Sequence, residues 1–443
     1  MHANYIYAFK FSHLSWAYMK RASQKRTFKL TPYPEALKKL LETFQKRPLD
    51  YETVPVEEAM DWVLAEDIVA DVDVPQTDVA MVDGYAVKSK DVAEASVANP
   101  ILLKVVGKLY PWSKPSDAKI EDGQAVYVTC GAPIPEGADA VIMVENTILH
   151  GEKIEIRMPV RKGENIAYSG EDVKRGTLIL KKGSILRPQD IGVLAGLGIK
   201  KVKVFRKPKV AVIATGNELI ELSRKDPTRV VDNYALIVSG LISKMGANPV
   251  RLGIAPDDLE ETKKKIEEAL QKADIVVTIG GCSMGEKDFV PEAVNALGEP
   301  GIIVHGIKVK PGKVTGFGMV KGKPVVMLPG LFASTMAGLY LILAPLIGLY
   351  TGLRMENLLP TVKSKISHDI DPENKLRYRF LPVRVKNVEG EFYAEIVSGG
   401  PNSLSRFLNS NGFILVPPKE SLKKGDEVNV TLFSEEEFSR FHD

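Results

Sequence analysis

The chain has 443 residues, which is too long for one ordinary hydrophobic core, so we expect about two to four domains. Hydrophobic residues make up 44% and charged residues 26%, the composition of a soluble globular protein. The net charge of +3, with dispersed basic residues, gives no electrostatic basis for nucleic-acid binding. Cys130 and Cys282 are the only cysteines, which excludes a disulfide framework, fits a reducing cytosol and predicts two buried small side chains.

We expect no secretory signal in the N-terminal part of the chain. Residues 1–28 contain no compact apolar run followed by a small-residue cleavage site, so we expect a poorly ordered extension. Helical spacing of apolar residues then predicts a helix over residues 34–46 and a shorter one over Val56–Ala65. Between residues 101 and 185, strand-like runs are separated by Gly, Pro and Asp, which is typical of a β-barrel or sandwich.

Strand and helix patterns alternate from Lys209 onward. This alternation predicts a doubly wound α/β domain over residues 191–353. From Lys363 the strand patterns return, so residues 354–443 are predicted to form a separate small β-domain.

Two helices of the α/β domain carry N-terminal cap signals. Residues 233–245 are predicted as a helix with Asn233 as its N-cap. The next helix is predicted over Asp257–Lys272, with Asp257 and Glu260 at capping-box spacing.

One uncharged stretch raises the question of a membrane span. Leu331–Leu353 contains no charged residue, and roughly 20 apolar residues can cross a bilayer. The stretch also holds small polar residues and Pro345, which breaks or kinks a helix. We therefore expect a buried helix pair and no membrane segment.

The stretch Ile275–Asp288 is the strongest single site signal. Its β-branched run is typical of a strand buried on both faces, and it ends in Gly280-Gly281, a small polar run and Gly285. A buried parallel strand that ends in a glycine-rich turn before a helix is where α/β proteins bind anions such as phosphate. Two acidic residues in the same turn, Glu286 and Asp288, suggest an accompanying cation.

Acidic residues follow the ends of three predicted strands. If the strands are parallel, Glu218, Asp257 and Asp288 lie at the same carboxyl edge of the sheet. Carboxylates there suit a hard cation such as Mg²⁺. Asp257 and Asp288 also sit where helix N-caps belong, so capping is the alternative reading for both. Glu218 follows a glycine turn without starting an evident helix, which favours a functional role.

A lysine pair surrounds a proline-glycine turn at Lys310 and Lys313. Two lysines across a turn suit phosphate or another oxyanion as point charges, and a solvated turn is the alternative. The spacing is not that of a Walker A loop, since Val314 follows Lys313. The six histidines show no metal-ligand spacing.

Several motifs in fixed order carry a resemblance to a known family. They are MVDGYAV (81–87), GAPIPEGADAVIMVE (131–145), GENIAYSGEDV (163–173), ATGNEL (214–219), GGCSMGEKD (280–288), KPGK (310–313) and LPG (328–330). From about Leu30 onward the chain resembles the molybdopterin molybdenumtransferase family of MoeA-like enzymes, which includes the E domain of gephyrin. The implied reaction converts adenylylated molybdopterin and molybdate, in the presence of Mg²⁺, to molybdenum cofactor and AMP.

The resemblance also implies the organisation of the chain. The implied fold class is α/β and β multidomain, with a small α+β linker domain (29–75 and 160–190) and a β-rich domain (76–159). The doubly wound molybdopterin-binding domain and a C-terminal β-barrel-like domain complete the chain. The resemblance implies a cytoplasmic homodimer with active sites at subunit contacts. It further implies a molybdopterin adenylyltransferase and molybdoenzyme or tungstoenzyme apoproteins as partners.

Roles of individual residues follow from the resemblance, position by position. The implied catalytic residues are Asp83, Asp172, Glu218, Asp257, Asp288 and Lys310. Glu218, Asp257 and Asp288 would hold Mg²⁺, and Lys310 would attract molybdate. The implied substrate-binding residues are Thr215, Gly216, Gly280, Gly281, Ser283, Gly285, Lys313, Pro329, Gly330 and Ser334.

Three departures from the family pattern fall near the expected oxyanion pocket. Cys130 stands where many members have threonine, Gly306 replaces a usual lysine, and Leu331-Phe332 replaces Asn-Pro after the LPG motif. Tungstate is therefore an alternative to molybdate. Two other functions stay open, namely adenylylation of molybdopterin and a gephyrin-like scaffold that binds a peptide.

Overall fold

The computed structural model describes residues 29–45, 50–353, 358–372, 376–434 and 436–437. The predicted extension of residues 1–28 lies outside the described residues. Two compact units are present. The described residues of the larger unit lie within Met1–Glu52, Asp61–Ala65 and Val204–Asp443, and those of the smaller unit lie within Thr53–Met60 and Glu66–Lys203. The finer division into four domains stays a prediction.

The described part of the chain contains both long and short helices. In chain order the α-helices are α1 (Tyr33–Phe44), α2 (Pro188–Gly196), α3 (Tyr234–Lys244), α4 (Leu259–Lys272), α5 (Val290–Ala296), α6 (Phe332–Gly338), α7 (Ala344–Thr351) and α8 (Leu404–Leu408). Short 3-10 turns cover Val56–Glu58, Ser89–Val92, Pro115–Asp117 and Val144–Asn146.

The strands follow the β-branched and alternating runs of the sequence. In chain order they are β1 (Tyr51–Pro55), β2 (Ile68–Val69), β3 (Val79–Ala80), β4 (Gly84–Val87), β5 (Ile101–Leu109), β6 (Gln124–Val128), β7 (Ala140–Met143), β8 (Thr147–His150), β9 (Lys153–Ile156), β10 (Ile166–Ala167), β11 (Leu178–Leu180), β12 (Lys201–Phe205) and β13 (Lys209–Thr215). The second half of the chain adds β14 (Leu219–Ile220), β15 (Val230–Val231), β16 (Asn248–Ala255), β17 (Ile275–Ile279), β18 (Gly301–His305), β19 (Val309–Lys310), β20 (Gly316–Val320), β21 (Lys323–Leu328), β22 (Thr361–Ile366), β23 (Tyr378–Val388), β24 (Glu391–Ile396), β25 (Gly412–Val416) and β26 (Glu427–Leu432).

The larger unit is built on a six-stranded sheet with the order β16-β13-β17-β21-β20-β18. The first four strands are parallel, with Val212, Val277 and Val326 side by side in register, and β20 and β18 are antiparallel. These three valines enter one hydrophobic cluster, while Ala211 and Val276 enter a second cluster on the other face. Because the sheet is buried on both faces, the predicted doubly wound α/β architecture is confirmed.

The long apolar stretch forms one continuous helix in the larger unit. Helices α6 and α7 are joined by a π-helical turn over Leu339–Leu343, so the prediction of a helix pair is wrong. The Ala344 N–H bonds to the Leu339 carbonyl five residues earlier, and this wider turn accommodates Pro345, which has no N–H. Phe332–Thr351 is long and apolar enough to cross a membrane, but 94% of its apolar window is buried within the structure. The predicted burial is confirmed.

The C-terminal strands close into a five-stranded barrel. The order is β23-β24-β22-β26-β25, and β25 pairs back to β23, while β19 extends the sheet beside β23. The barrel interior is filled by aliphatic side chains such as Val383, Val385, Ile414 and Val430. The predicted β-barrel-like C-terminal domain is confirmed.

The smaller unit contains a second six-stranded sheet, with the order β7-β4-β6-β5-β9-β8. All neighbouring strands in it are antiparallel except β5 and β6. Val87, Leu103, Ile154 and Ile156 are fully or almost fully buried in its core. The predicted β-rich character of this part of the chain is confirmed.

Two local predictions are wrong. The helix over Val56–Ala65 is only a 3-10 turn, because the chain turns at Asp61 (φ 62°) and then enters a β-bridge at Leu64. Helix α4 is capped by Asp258 rather than Asp257, since the Asp258 carboxylate accepts from the N–H groups of two first-turn residues. Asn233 occupies the N-cap position of α3, as predicted, although its side chain makes no capping hydrogen bond.

Candidate functional site

A cavity of about 1230 Å³ lies at the carboxyl edge of the parallel strands in the larger unit. The loops that follow β13, β16, β17 and β21 line it, together with the turn after β19 and residues of the C-terminal barrel. Every site residue predicted in this unit lines the cavity. They are Thr215, Gly216, Glu218, Asp257, Gly280, Gly281, Ser283, Gly285, Asp288, Lys310, Lys313, Pro329, Gly330 and Ser334.

The loop after β13 places Glu218 at the cavity. Gly216 has a φ of +143°, and a Cβ atom there would collide with the Glu218 carboxylate, so glycine allows this side chain to fold back over the turn. Glu218 itself is exposed and starts no helix, since β14 begins at Leu219. As predicted, Glu218 does not cap a helix.

Asp257 is tied to the loop after β13 by two hydrogen bonds. The Asn217 N–H donates to Asp257 Oδ2 at 3.3 Å, and the Asp257 N–H donates to Asn217 Oδ1 at 3.1 Å. Because Asp258 caps the helix, the Asp257 carboxylate is not used for capping. The carboxylates of Glu218 and Asp257 are therefore held on neighbouring loops of the same cavity.

The glycine-rich loop after β17 is anchored to its neighbours through the backbone. Gly280 has a φ of +91° and donates its N–H to the Leu328 carbonyl at 2.9 Å, which joins the loop to the end of β21. His305 Nε2 lies 2.8 Å from the Cys282 carbonyl. Cys282 is 1% exposed, as predicted, and burial raises the pKa of its thiol to about 12. These two contacts fix the position of the loop beside the cavity.

Asp288 closes a turn instead of capping the following helix. Its Oδ2 accepts from the Gly285 N–H at 2.6 Å, and α5 begins at Val290 with Phe289 in the N-cap position. The N-cap alternative considered for Asp288 is therefore wrong. Asp288 lies in the wall of the cavity.

Asp83 and Asp172 belong to the smaller unit, and both are exposed. Asp83 Oδ1 accepts from the Cys130 N–H at 2.7 Å. Cys130 is exposed, so the expectation of a buried thiol is wrong here. The roles of Asp83 and Asp172 stay predictions.

Sequence reasoning missed part of the cavity wall. Asp232, Tyr234, Arg377, Asn402 and Leu404 also line it. Asp232 is 6% exposed, its Oδ1 accepts from the Ala235 N–H at 3.0 Å, and burial raises the pKa of its carboxyl group. A carboxylate directly before a predicted helix was the available signal for Asp232. Arg377, Asn402 and Leu404 carry none, because only contacts between distant parts of the chain bring them to the cavity.

The carboxylates of the cavity do not form a metal cage by themselves. Within the residues that the structure describes, no three His, Cys, Asp or Glu side chains are grouped closely enough to bind a metal ion together. A hard cation at this site would need oxygens from a ligand or from water.

Three family models match consecutive parts of the chain. The MoeA N-terminal region (domain I and II) matches residues 31–198, a probable molybdopterin binding domain matches residues 211–348, and the MoeA C-terminal region (domain IV) matches residues 371–433. The second of these covers the sheet and most of the cavity loops.

Curated relatives and solved structures match nearly the whole chain. The molybdopterin molybdenumtransferase of Staphylococcus aureus (strain COL) is 33% identical over 406 residues, which cover 90% of this chain and 95% of that protein. The Bacillus subtilis molybdopterin molybdenumtransferase is 32% identical over 422 residues, 93% of this chain and 97% of that protein. A crystal structure of a molybdopterin biosynthesis MoeA protein from Pyrococcus horikoshii is 36% identical, with a TM-score of 0.79, and covers 92% of this chain and 100% of that one. The chain therefore belongs to the molybdopterin molybdenumtransferase family.

Proposed function

We propose that the chain inserts molybdenum into molybdopterin by taking adenylylated molybdopterin and molybdate to molybdenum cofactor and AMP. One observation carries the proposal: site residues predicted from well-separated sequence motifs line a single cavity at the carboxyl edge of the sheet. A cavity of about 1230 Å³ is also large enough for a ligand with two ring systems and two phosphates.

The cavity combines groups that suit anionic substrates. Both phosphates of the adenylylated pterin and the molybdate ion are negatively charged. Lys310 and Lys313 place two ammonium groups at the cavity, where they offset this charge and stabilise the charge that develops as the bond between the phosphates breaks. The absence of side chains at Gly280 and Gly281 lets an anion approach the backbone. AMP is the leaving group.

The donor set fits Mg²⁺. Mg²⁺ takes one or two protein carboxylates and completes its shell with water and phosphate oxygens, which agrees with a site that has carboxylates but no cage. Glu218 and Asp257, held on neighbouring loops, would bind it, with Asp288 on the adjoining loop. The ion would neutralise phosphate charge.

Two substitutions test the proposal. Glu218→Gln and Asp288→Asn keep the size of each side chain but remove its charge, so we expect both variants to lose release of AMP from adenylylated molybdopterin with molybdate. Asp258→Asn is the matched control, because Asp258 adjoins Asp257 in sequence but caps α4 and lies outside the cavity wall. Full activity in Glu218→Gln and Asp288→Asn would contradict the mechanism. A requirement for ATP with unadenylylated pterin would indicate the adenylyltransferase function instead.

The remaining expectations belong to the same proposal. We expect a cytoplasmic homodimer in which Asp83 and Asp172 also contribute to activity. Light scattering should give a mass of twice 48.6 kDa. Asp83→Asn should lower the rate of AMP release without changing this mass.

A further inference from the structure

Asp232 is a buried carboxylate in the cavity wall that no predicted role accounts for. Its residue exposure is 6%, and Oδ1 accepts from the Ala235 N–H at 3.0 Å at the start of α3. Among the described residues, Oδ2 has no hydrogen-bond partner. Oδ2 is not one of the enclosed oxygens of the structure, so it is open to the cavity, where a ligand N–H or O–H can take the place of water as its donor.

The surroundings of Asp232 select against an anion. Val230 and Leu331 also line the cavity and expose 58% and 46% of their surface, and Tyr234 lies two residues from Asp232. The Tyr234 ring packs on Phe332 with its centroid 5.1 Å away, which fixes its position. The charged groups that act on Asp232 are Arg251 and Glu221, which pair with each other at 3.6 Å, so the Asp232 carboxylate itself sets the local charge. Such a carboxylate repels phosphate and suits a flat, neutral ring that carries N–H donors.

We infer that Asp232 binds the pterin ring of the substrate through the ring's adjacent 2-amino and N3–H donors. This inference rests on the proposed function, since the proposed substrate contains two ring systems. A pterin offers two neighbouring N–H donors, which match the two oxygens of a carboxylate. Adenine offers an amino group beside a ring nitrogen that accepts, and a carboxylate would repel that nitrogen. Asp232 therefore discriminates between the two rings and sets the direction in which the substrate lies.

The hydrogen bond from the Ala235 N–H to Oδ1 allows a substitution that changes only the other oxygen of Asp232. In Asp232→Asn, the amide oxygen remains the acceptor for the Ala235 N–H, so the amide NH₂ takes the place of Oδ2. This replaces an acceptor by a donor without removing the cap. Lumazine is the matching ligand change, because it carries a 2-oxo group where pterin carries the 2-amino group.

Binding of pterin and lumazine to the full chain, followed by their fluorescence, gives the test. We expect the wild-type chain to prefer pterin by about tenfold or more, the effect of one hydrogen bond to a charged group. Asp232→Asn should reduce this preference to less than about twofold or reverse it. Asp258→Asn, which alters a helix cap outside the cavity wall, should keep the wild-type preference.

Several outcomes would overturn the inference. These are an equal preference in wild type and Asp232→Asn, no preference in the wild type, or a loss of AMP binding in Asp232→Asn with the pterin preference intact. Failure of the proposed function is distinguishable, because it is measured as AMP release with molybdate, whereas ring preference is measured without molybdate.

Discussion

The ring of Phe332, at the start of α6, packs edge-on against the ring of Phe407 in α8, with centroids 5.1 Å apart. The Ala333 N–H also donates to the Pro401 carbonyl at 3.0 Å. These contacts join the α/β sheet region to the barrel beside the cavity, so that Asn402 and Leu404 form part of its wall. Phe332 is one of the departures from the family pattern, and here it joins the start of α6 to α8 within the larger unit.

Replacing Phe332 should destabilise this junction. Phe332 is 3% exposed, and Phe332→Ala removes a buried ring, for which we expect a loss of about 3–5 kcal/mol in the free energy of unfolding. Its neighbour Leu331 is 46% exposed, so Leu331→Ala should cost less than about 1 kcal/mol. Urea unfolding of both variants measures their difference in stability. Equal unfolding midpoints would show that the Phe332 ring does not stabilise its contact with α8.

Loss of the Asn217 side chain should impair activity more than stability. Asn217→Ala removes the acceptor for the Asp257 N–H, so the Asp257 loop is held less firmly. We expect AMP release to slow by about five- to tenfold, which corresponds to about one hydrogen bond. Thr228→Ala, which removes an exposed bond to Asp226 outside the cavity wall, should leave the rate unchanged. Equal rates in the two variants would contradict a positioning role.

Stability at low pH should report on Asp190 in the smaller unit. The Asp190 carboxylate accepts from the Arg187 guanidinium and backbone N–H, and the guanidinium lowers the pKa of this carboxyl group below its ordinary 3.8. A carboxyl group whose pKa is lower in the folded than in the unfolded chain stabilises the fold at pH values above its unfolded-state pKa. This contribution disappears as the pH falls through the folded-state pKa. The stability difference between wild type and Asp190→Asn should therefore be constant from about pH 7 to 5 and shrink below about pH 4. A difference that grows on acidification would contradict the assignment.

The two cysteines should react very differently with a thiol reagent. Cys130 is exposed, whereas Cys282 is buried and the pKa of its thiol is raised to about 12, so Cys282 stays protonated near neutral pH. Treatment of the native chain with iodoacetamide at pH 8 should label Cys130 alone. Peptide mass spectrometry measures this, and labelling of Cys282 before denaturation would contradict the fold of the glycine-rich loop.

Much of the fold was accessible from the sequence because its signals are local. The apolar run Ile275–Ile279 and the turn signals after it predict a buried strand and a loop at the sheet edge. The errors in the helix caps arose where two neighbouring residues compete for one role. Asp258 and Asp232 accept the helix N-terminal bonds that were assigned to Asp257 and Asn233, since both candidates have suitable side chains and the backbone path decides between them.

The site was predictable only in part, for a similar reason. The loops that follow parallel strands lie at the same edge of the sheet, so the sequence alone places Glu218 and the glycine-rich loop close together. Arg377 and Asn402 reach the cavity through contacts between distant parts of the chain, such as the pairing of β19 with β23 and the bond from the Ala333 N–H to the Pro401 carbonyl, and such contacts leave no periodicity in the sequence. The single helix over Phe332–Thr351 depends on a π-helical turn, which Pro345 alone does not predict.

The most direct test of the proposed function measures whether AMP release depends on molybdate or tungstate. The purified chain would be given adenylylated molybdopterin and Mg²⁺, with molybdate, with tungstate or with neither, and AMP and metal-loaded pterin would be counted. The proposed function predicts one AMP for each metal-loaded pterin and little release without an oxyanion, and the preferred anion identifies the metal. AMP release that is absent, or that proceeds equally well without molybdate or tungstate, would contradict it.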